Sequence, residues 1–285
     1  MDTERKSIPE TLVDFHVHLF PDKGFDAIWK AFETVYQVPV LHRLYHGECV
    51  DYLRKRGVGP MVYSNYAHKQ GIAGPMNLWN RQILDSTEDV YCFAAFHPDD
   101  PDAMEYTEKI LDHPKVMGVK LHFLIQTFYP HDRRLYPLYE KILEKGKRLL
   151  MHIGTGPIGS NFTGVDFFKN VLADFPDLPA NIPHMGGYEY RAFMNLLDAH
   201  NNLYLDTSYS FWPQFPGSFD LDNGFLEDHK DRILYGSDFP NIILPREDEI
   251  EGLLSRNLSQ EFYDRVFYEN GQRLIREVCD AQHVC

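Results

Sequence analysis

The sequence lacks the features by which membrane and secreted proteins are usually recognised. No apolar run reaches the length of about 20 residues that crosses a bilayer, and the first residues contain no apolar segment typical of a secretion signal. The four cysteines show no CxxC spacing and do not suggest a disulfide framework. We therefore expect a cytoplasmic protein with no membrane partner.

Positive charge is also scarce. The chain has 28 Lys and Arg residues against 42 Asp and Glu residues, which gives a formal net charge of -14. Such a balance disfavours nucleic acid and anionic membranes as partners. It does not exclude an anionic small molecule, because a bound cation can dominate the field around a site.

Short apolar runs alternate along the chain with amphipathic helical stretches. Eight such units in 285 residues predict an α/β fold of the (β/α)8 (TIM) barrel type, and we treat residues 1–285 as one domain. An open, doubly wound sheet is disfavoured because no glycine-rich phosphate loop follows the first run. The predicted strands are 11–18, 59–66, 90–97, 116–124, 148–153, 180–184, 202–207 and 232–237.

The connection that follows the first predicted strand is unusually long. Residues 21–46 carry Phe25, Trp29 and Phe32 at helical spacing, which predicts a helical insertion. This insertion either covers the barrel mouth as a cap or packs its apolar face against the side of the barrel. Residues 260–283 are predicted to form a final amphipathic helix that closes the barrel.

Two histidines lie near the end of the first predicted strand. The run from Leu12 to Phe20 is apolar apart from Asp14, His16 and His18, as expected for a buried strand. Side chains two residues apart on a strand point to the same side, so both imidazoles project together. Neutral imidazole is a good ligand for zinc and similar ions, and the pair therefore supplies half of a metal site.

Further polar side chains follow the later strands. In a barrel these strand ends converge on the carboxyl-terminal mouth, where active sites are found. Three imidazoles and one carboxylate from different strands would suit a divalent transition ion with an open position for water. The residues concerned are Lys120 and His122 on one face of the fourth strand, His152 after the fifth, His184 after the sixth and Asp238 after the eighth.

Taken as a set, these motifs resemble the amidohydrolase superfamily. The resemblance is to its branch of metal-dependent hydrolases and decarboxylases related to aminocarboxymuconate-semialdehyde decarboxylase. It implies a distorted (β/α)8 barrel and one metal ion held by the residues that match His16, His18, His152 and Asp238. The motifs that carry it are Asp14-Phe15-His16-Val17-His18, Gly118-Val119-Lys120-Leu121-His122, His152-Ile153-Gly154, His184-Met185-Gly186-Gly187 and Tyr235-Gly236-Ser237-Asp238-Phe239-Pro240.

The resemblance also suggests roles for individual residues. Asp238 and His184 are the predicted catalytic residues, with Asp238 both a ligand and a proton acceptor. His184 could instead bind the ion or polarise a substrate carbonyl. Lys120 and His122 are predicted to bind substrate, although a lysine on this strand bridges two ions as a carbamate in binuclear members, and it could also form a structural ion pair. Asp206, at the end of the seventh strand, is expected to serve the barrel structurally.

These roles favour a metal-dependent hydrolase. A metal-bound hydroxide would attack the carbonyl of a lactone or amide derived from a small organic acid. The alternative is a non-oxidative, metal-dependent decarboxylase of an unsaturated or aromatic acid. A nuclease related to the TatD-like deoxyribonucleases is disfavoured, because those enzymes carry a glutamate on the fourth strand.

The expected cofactor is one divalent transition metal. Zinc is the first choice, and manganese, iron, cobalt and nickel accept the same ligands. The expected partner is a small carboxylate-bearing substrate, and a homodimer is expected from base rates.

Overall fold

The computed structural model describes residues 6–156, 158–213, 219–220 and 222–280. Within these ranges the strands are β1 (Leu12–His18), β2 (Val58–Ser64), β3 (Val90–Ala95), β4 (Val116–His122), β5 (Arg148–His152), β6 (Ala180–Ile182), β7 (Leu203–Asp206) and β8 (Ile233–Leu234). They pair in parallel and in chain order from β1 to β8. The predicted (β/α)8 barrel is confirmed.

Helices connect these strands around the outside of the sheet. They are α1 (Asp22–Ala31), α2 (His46–Arg54), α3 (Ala73–Ser86), α4 (Ala103–Leu111), α5 (Phe123–Gln126), α6 (Tyr136–Glu144), α7 (Val165–Asp174), α8 (Tyr190–Ala199), α9 (Asn223–Asp228), α10 (Arg246–Leu254), α11 (Gln260–Asp264) and α12 (Asn270–Asp280). None of the helices in the described ranges combines the length and the apolar character needed to cross a membrane.

The barrel closes irregularly between its last and first strands. β8 has only two residues, and the loop after it takes over the pairing with β1. The backbone nitrogen of His18 donates to the carbonyl of Phe239 over 2.7 Å, and that of Asp238 donates to the carbonyl of His16 over 2.8 Å. This closure is the expected distortion of the barrel, and it brings Asp238 beside the two histidines of β1.

An irregularity in β1 turns the histidines into the barrel. Val13 and Phe15 belong to the inner core at the bottom of the barrel, whereas Val17 belongs to the outer layer between sheet and helices. Regular alternation would put all three side chains on one side. The pairing of β1 with β2 shifts in register between Asp14 and Val17, which exchanges the two sides. His16 and His18 therefore point inward above Phe15.

A glycine exchanges the inner and outer sides of β4 in the same way. Met117 lies in the inner core, while Val119 and Leu121 lie in the outer layer, so the sides exchange at Gly118. The φ of Gly118 is 154°, and a Cβ there would lie 1.7 Å from the carbonyl oxygen of Arg148. Only glycine allows this approach. As a result, Lys120 projects into the barrel interior.

The two ends of the barrel are filled differently. At the amino-terminal end, Leu274, Ile275 and Val278 of α12 pack into the inner core. The predicted closing helix is thus present, in two segments joined by a π-helical turn at Arg265–Glu269, while residues 281–283 of that prediction lie outside the described ranges.

The predicted helical insertion lies near the carboxyl-terminal end. It consists of α1 and a π-helical turn at Phe32–Tyr36. The ring of Phe25 lies 5.8 Å from that of Phe20, which in turn stacks 6.0 Å from His18. The insertion therefore adjoins the barrel mouth. Its role as a cap, like the assignment of 1–285 to one domain, stays a prediction.

Candidate active site

The histidines of β1 are held so that each presents one ring nitrogen to the barrel centre. The Nδ1 of His18 lies 3.2 Å from the carbonyl oxygen of Ser64, and the Nδ1 of His16 lies 2.9 Å from Oδ2 of Asp206. A carbonyl or carboxylate oxygen only accepts hydrogen bonds, so both Nδ1 atoms carry a proton. Burial lowers the pKa of His18 below its ordinary value of 6.5, which favours the neutral ring. Nε2 is then the ring nitrogen of each histidine that faces the barrel centre, and it offers a lone pair to an ion whenever the ring is neutral.

Asp238 faces these two nitrogens. Its Oδ1 lies 2.9 Å from Nε2 of His18 and 3.1 Å from Nε2 of His16. Burial would raise the pKa of Asp238, but the neighbouring His18 and His16 hold it below its ordinary value, so the side chain is a carboxylate at neutral pH. An ionised oxygen thus lies against the Nε2 atoms of both rings.

This convergence fits a metal ion. One ligand atom each from His16, His18 and Asp238 lies within 4.8 Å of the other two. The Nε2 of His16 forms no hydrogen bond with any described residue. Buried acceptors this close repel one another unless a proton or a metal cation lies between them. Imidazole nitrogen and carboxylate oxygen are the atoms that zinc, manganese and related ions bind.

The predicted fourth ligand, His152, lies at the end of β5 between His122 and His184. The register of β4 with β5 sets it opposite His122, and the two rings stack with centroids 4.2 Å apart. Its ring lies 4.9 Å from that of His184. His152 is outside the group formed by His16, His18 and Asp238. Its buried Nε2 has no hydrogen-bond partner in the described ranges, and its role as a ligand stays a prediction.

His184 lies in a strained turn after β6. Its φ and ψ are 58° and 33°, and the next three residues also have positive φ. Left-handed backbone is costly for a side chain with a Cβ and is common at functional sites. The turn needs glycine at its end, because a Cβ at Gly187 would lie 2.1 Å from the backbone nitrogen of Gly156. The ring of His184 lies 5.5 Å from that of His16.

The proton of His184 also lies on Nδ1. This atom is 3.2 Å from the carbonyl oxygen of Ser208, which can only accept. Burial lowers the pKa of His184 to about 4, so the ring is neutral at pH 7 and its Nε2 is free to accept a proton. The ring is thus protonated only transiently at pH 7, and a proton that it takes up is readily passed on.

Lys120 places a cation beside these groups. Its side chain is fully buried, and its Nζ has no hydrogen-bond partner in the described ranges. Burial lowers the pKa of Lys120 to about 8, while Asp238 and Asp206 oppose that shift. An ammonium buried without a partner is costly. It would be satisfied by an anion that enters the cavity.

His122 lies next to Lys120 on the same face of β4. Its backbone nitrogen donates to Oε1 of Gln126 over 2.8 Å, and its ring lies 4.6 Å from that of Tyr66. Burial lowers the pKa of His122 well below its ordinary value, so the ring is neutral. Its position at the strand end is compatible with a substrate contact, which stays a prediction.

The sequence analysis expected a structural role for Asp206 and did not connect it or Ser208 to the histidines of the site. Asp206 contacts the ring of His16 and the backbone nitrogen of His184, the latter over 3.0 Å. Ser208 Oγ lies 2.9 Å from Nδ1 of His184. The available clue was a carboxylate at the end of a strand that leads to the mouth. Its target could not be read locally, because His16 is 190 residues away in sequence.

Comparison with known structures finds the same fold in other proteins. An uncharacterised TIM-barrel protein from Bordetella bronchiseptica superposes with a TM-score of 0.71 at 19% identity, covering 94% of this chain and 99% of that one. A 5-carboxyvanillate decarboxylase from Novosphingobium aromaticivorans, complexed with manganese and 4-hydroxy-3-methoxy-5-nitrobenzoic acid, gives a TM-score of 0.68 at 13% identity, covering 97% and 99%. A 2,6-dihydroxybenzoate decarboxylase complexed with 2,6-dihydroxybenzoate gives a TM-score of 0.67 at 15% identity, covering 93% of this chain and 98% of that one. At these identities the likeness shows a shared fold.

The comparison of sequences gives the family. No curated protein matches the chain. The family model described as Amidohydrolase matches residues 13–276, which include every motif quoted above. The chain therefore belongs to the amidohydrolase family and is an enzyme, as its motifs predicted.

Proposed function

We propose that this enzyme is a metal-dependent, non-oxidative decarboxylase of a small unsaturated or aromatic acid. The observation that carries the proposal is the buried ammonium of Lys120. Its Nζ has no hydrogen-bond partner in the described ranges, and it lies within electrostatic reach of Asp238, which converges with His16 and His18. The cavity can thus offer positive charge both to a carboxylate and to the electrons left when that carboxylate departs. The partner proposed is accordingly a carboxylate-bearing small molecule.

The ion would be held by His16, His18 and Asp238, with His152 as a fourth ligand. When bound, a divalent ion would supply positive charge that orients the acid and stabilises the developing carbanion. Zinc was the first expectation. The manganese in the Novosphingobium decarboxylase adds weight to manganese as an alternative.

His184 and Lys120 have separate tasks in this proposal. Lys120 holds the substrate carboxylate, while the neutral Nε2 of His184 accepts a proton from solvent. As the bond to the carboxyl carbon breaks, carbon dioxide leaves and its bonding electrons stay on the substrate carbon. His184 then gives its proton to that carbon, so that the carboxylate and one proton taken from solvent become carbon dioxide and the shortened product.

The hydrolase that the sequence favoured has less support. The same residues could activate water, but the superposable enzymes described above are named as decarboxylases. We therefore place decarboxylation first. A cytoplasmic location and a homodimer remain predictions from the sequence.

A substrate screen separates the two reactions. The purified chain, reconstituted with Mn(II) or with Zn(II), is incubated with hydroxybenzoates and other unsaturated acids, and in parallel with lactones and amides. Release of carbon dioxide, with one deuterium bound to the product carbon in D2O, is the expected result. Opening of a lactone or amide without carbon dioxide would return the hydrolase to first place.

Substitution of Lys120 tests the proposed carboxylate contact. Lys120→Met removes a charge-assisted hydrogen bond and is expected to raise KM by about 10- to 100-fold. Lys147→Met is the matched control, because Lys147 is equally buried but at the opposite end of the barrel, where its Nζ donates to the carbonyl of Val116 over 2.7 Å. An unchanged KM in Lys120→Met would contradict the contact.

A further inference from the structure

One buried carboxylate receives hydrogen bonds from two of the proposed active-site histidines. Oδ2 of Asp206 accepts from Nδ1 of His16 over 2.9 Å, and Oδ1 accepts from the backbone nitrogen of His184 over 3.0 Å. Oδ1 also accepts from the backbone nitrogen of Ser208 over 3.2 Å and from the Ser208 hydroxyl. All four contacts are donations onto Asp206.

The Ser208 hydroxyl extends this arrangement to the ring of His184. Because its hydrogen points to Asp206, its oxygen is left to accept, and Nδ1 of His184 lies 2.9 Å away. The carbonyl oxygen of Ser208 accepts from the same ring nitrogen over 3.2 Å. Both contacts place the proton of His184 on Nδ1.

The same atoms form a second geometric candidate for an ion. His16, His184 and Asp206 each offer a ligand atom within 4.8 Å of the others. The Ser208 hydroxyl lies among them, 3.3 Å from Nδ1 of His16 and 2.9 Å from Nδ1 of His184. An ion there would need those nitrogens to be deprotonated and the hydroxyl displaced. The group is therefore a set of linked hydrogen bonds and not an ion site.

We propose that Asp206, acting on His16 directly and on His184 through Ser208, is the positioning residue that holds both rings as Nδ1–H tautomers. Both rings then present a bare Nε2 to the cavity, one to bind the ion and one to accept a proton. This inference rests on the proposed function for what those nitrogens do. It adds a role for a strand-end carboxylate that touches neither ion nor substrate.

Only a carboxylate satisfies this position. An amide in its place would direct its NH2 group either at Nδ1–H of His16 or at the backbone N–H of His184. In the first orientation His16 must move its proton to Nε2, which removes a ligand lone pair. In the second, a buried backbone donor faces another donor, which costs roughly 1–3 kcal/mol.

The test compares ion binding in two carboxylate-to-amide variants of the full chain. Chelator-stripped wild type, Asp206→Asn and Glu249→Gln are titrated with Co(II), and affinity is read from visible absorption in competition with a chelator. Glu249 is the matched control because it is equally buried and also reaches the loop after β7, but its Oε1 accepts only backbone N–H groups and its Oε2 faces no described donor. Asp206→Asn is expected to bind Co(II) about 10- to 100-fold more weakly.

The outcomes separate this inference from the proposed function. A loss below about 10-fold in Asp206→Asn, or an equal loss in Glu249→Gln, would overturn the role of Asp206. Wild type that binds no Co(II) would instead refute the metal centre. As a second measurement, made on the wild type itself, long-range 1H–15N spectra with labelled histidine must show Nδ1–H tautomers for His16 and His184. The signals are assigned by their loss in His16→Asn and His184→Asn. An Nε2–H tautomer at either position would refute the inference.

Discussion

Two buried acidic residues near the barrel mouth have pKa values shifted in opposite directions. Asp238 is ionised because His18 and His16 lie against it. Glu249 of α10 lies near the same loops, but burial raises its pKa well above the ordinary value of 4.5, and its backbone donors Ser210 and Phe211 do not compensate. At the residue scale, neighbours decide whether a carboxyl group can serve as an ion ligand.

Substitution of Asp238 tests the assignment of the ion ligand. Asp238→Asn is expected to reduce kcat/KM by at least about 100-fold, because an amide lacks the charge and directs hydrogens at the histidine lone pairs. The fold should persist, since the backbone bond from Asp238 to His16 remains. Activity, ion content and thermal unfolding are measured together. The exposed Asp198→Asn is the control, and full activity in Asp238→Asn would refute the assignment.

The raised pKa of Glu249 predicts how the stability of the protein depends on pH. With a folded pKa above 4.5, the native state binds the proton more tightly than the unfolded state, so stability is lost as pH rises above about 4.5. Glu249→Gln mimics the neutral acid and removes this loss. The free energy of unfolding of the variant should exceed that of wild type by a difference that grows by up to about 1.4 kcal/mol per pH unit.

Urea unfolding between pH 5 and pH 8 checks this expectation. A difference between the two proteins that grows with pH is the expected result. Parallel curves for wild type and Glu249→Gln would show that the side chain is ionised in the folded protein.

Among the structural elements, β1 and β4 position most of the candidate site. Each strand exchanges its inner and outer sides part of the way along, β1 between Asp14 and Val17 and β4 at Gly118. The lower half of each strand then supplies apolar side chains to the core, and the upper half supplies polar side chains to the cavity. The irregularities allow a barrel strand to serve both purposes.

Gly118→Ala tests this arrangement in β4. The new Cβ would meet the carbonyl oxygen of Arg148 at 1.7 Å, so β4 and β5 must separate. We expect a loss of about 3 kcal/mol or more in the free energy of unfolding. Gly146→Ala is the control, because Gly146 also has a positive φ, of 60°, but no atom lies within 4 Å of the added Cβ.

Gly146→Ala is expected to lower the free energy of unfolding by only about 1–2 kcal/mol, which is the strain of a left-handed residue with a Cβ. Urea unfolding of the two variants measures both values. Equal losses would mean that backbone conformation, rather than the contact with Arg148, requires glycine in β4.

For the whole molecule, the proposed metal site joins the first strand of the barrel to the segment after its last strand. His16 and His18 come from the first strand and Asp238 from the segment after the last, so an ion would bridge the closure of the barrel. An ion that binds only the folded state stabilises it by about 2.7 kcal/mol at 100 times its Kd. Removal of the ion should therefore weaken the barrel closure between β1 and the segment after β8, the shortest strand.

Thermal unfolding with and without the ion measures this effect. The chelator-treated enzyme is expected to unfold at a Tm lower by about 5 °C or more than the enzyme with excess Zn(II) or Mn(II). Asp238→Asn should show a much smaller difference. Identical Tm values for the wild type under both conditions would contradict an ion at the closure.

Much of the fold of this protein could be predicted from local sequence patterns. Apolar runs of strand length and helical periodicity depend on neighbouring residues, so the eight strands, the helical insertion and the polar residues at the strand ends could be predicted. The His-x-His pair also followed from alternation alone. By contrast, the stacking of His152 on His122 depends on the register between β4 and β5, which no local pattern specifies.

The sequence by itself determined the barrel, the family and the set of residues that could bind an ion. Only the tertiary structure decided which of them meet, and in what protonation state. His16 meets Asp206 across 190 residues, and the tautomer of the histidine follows from that contact. Strand type is set by short-range periodicity, whereas the position of a proton on a buried ring depends on the groups that barrel closure brings against it.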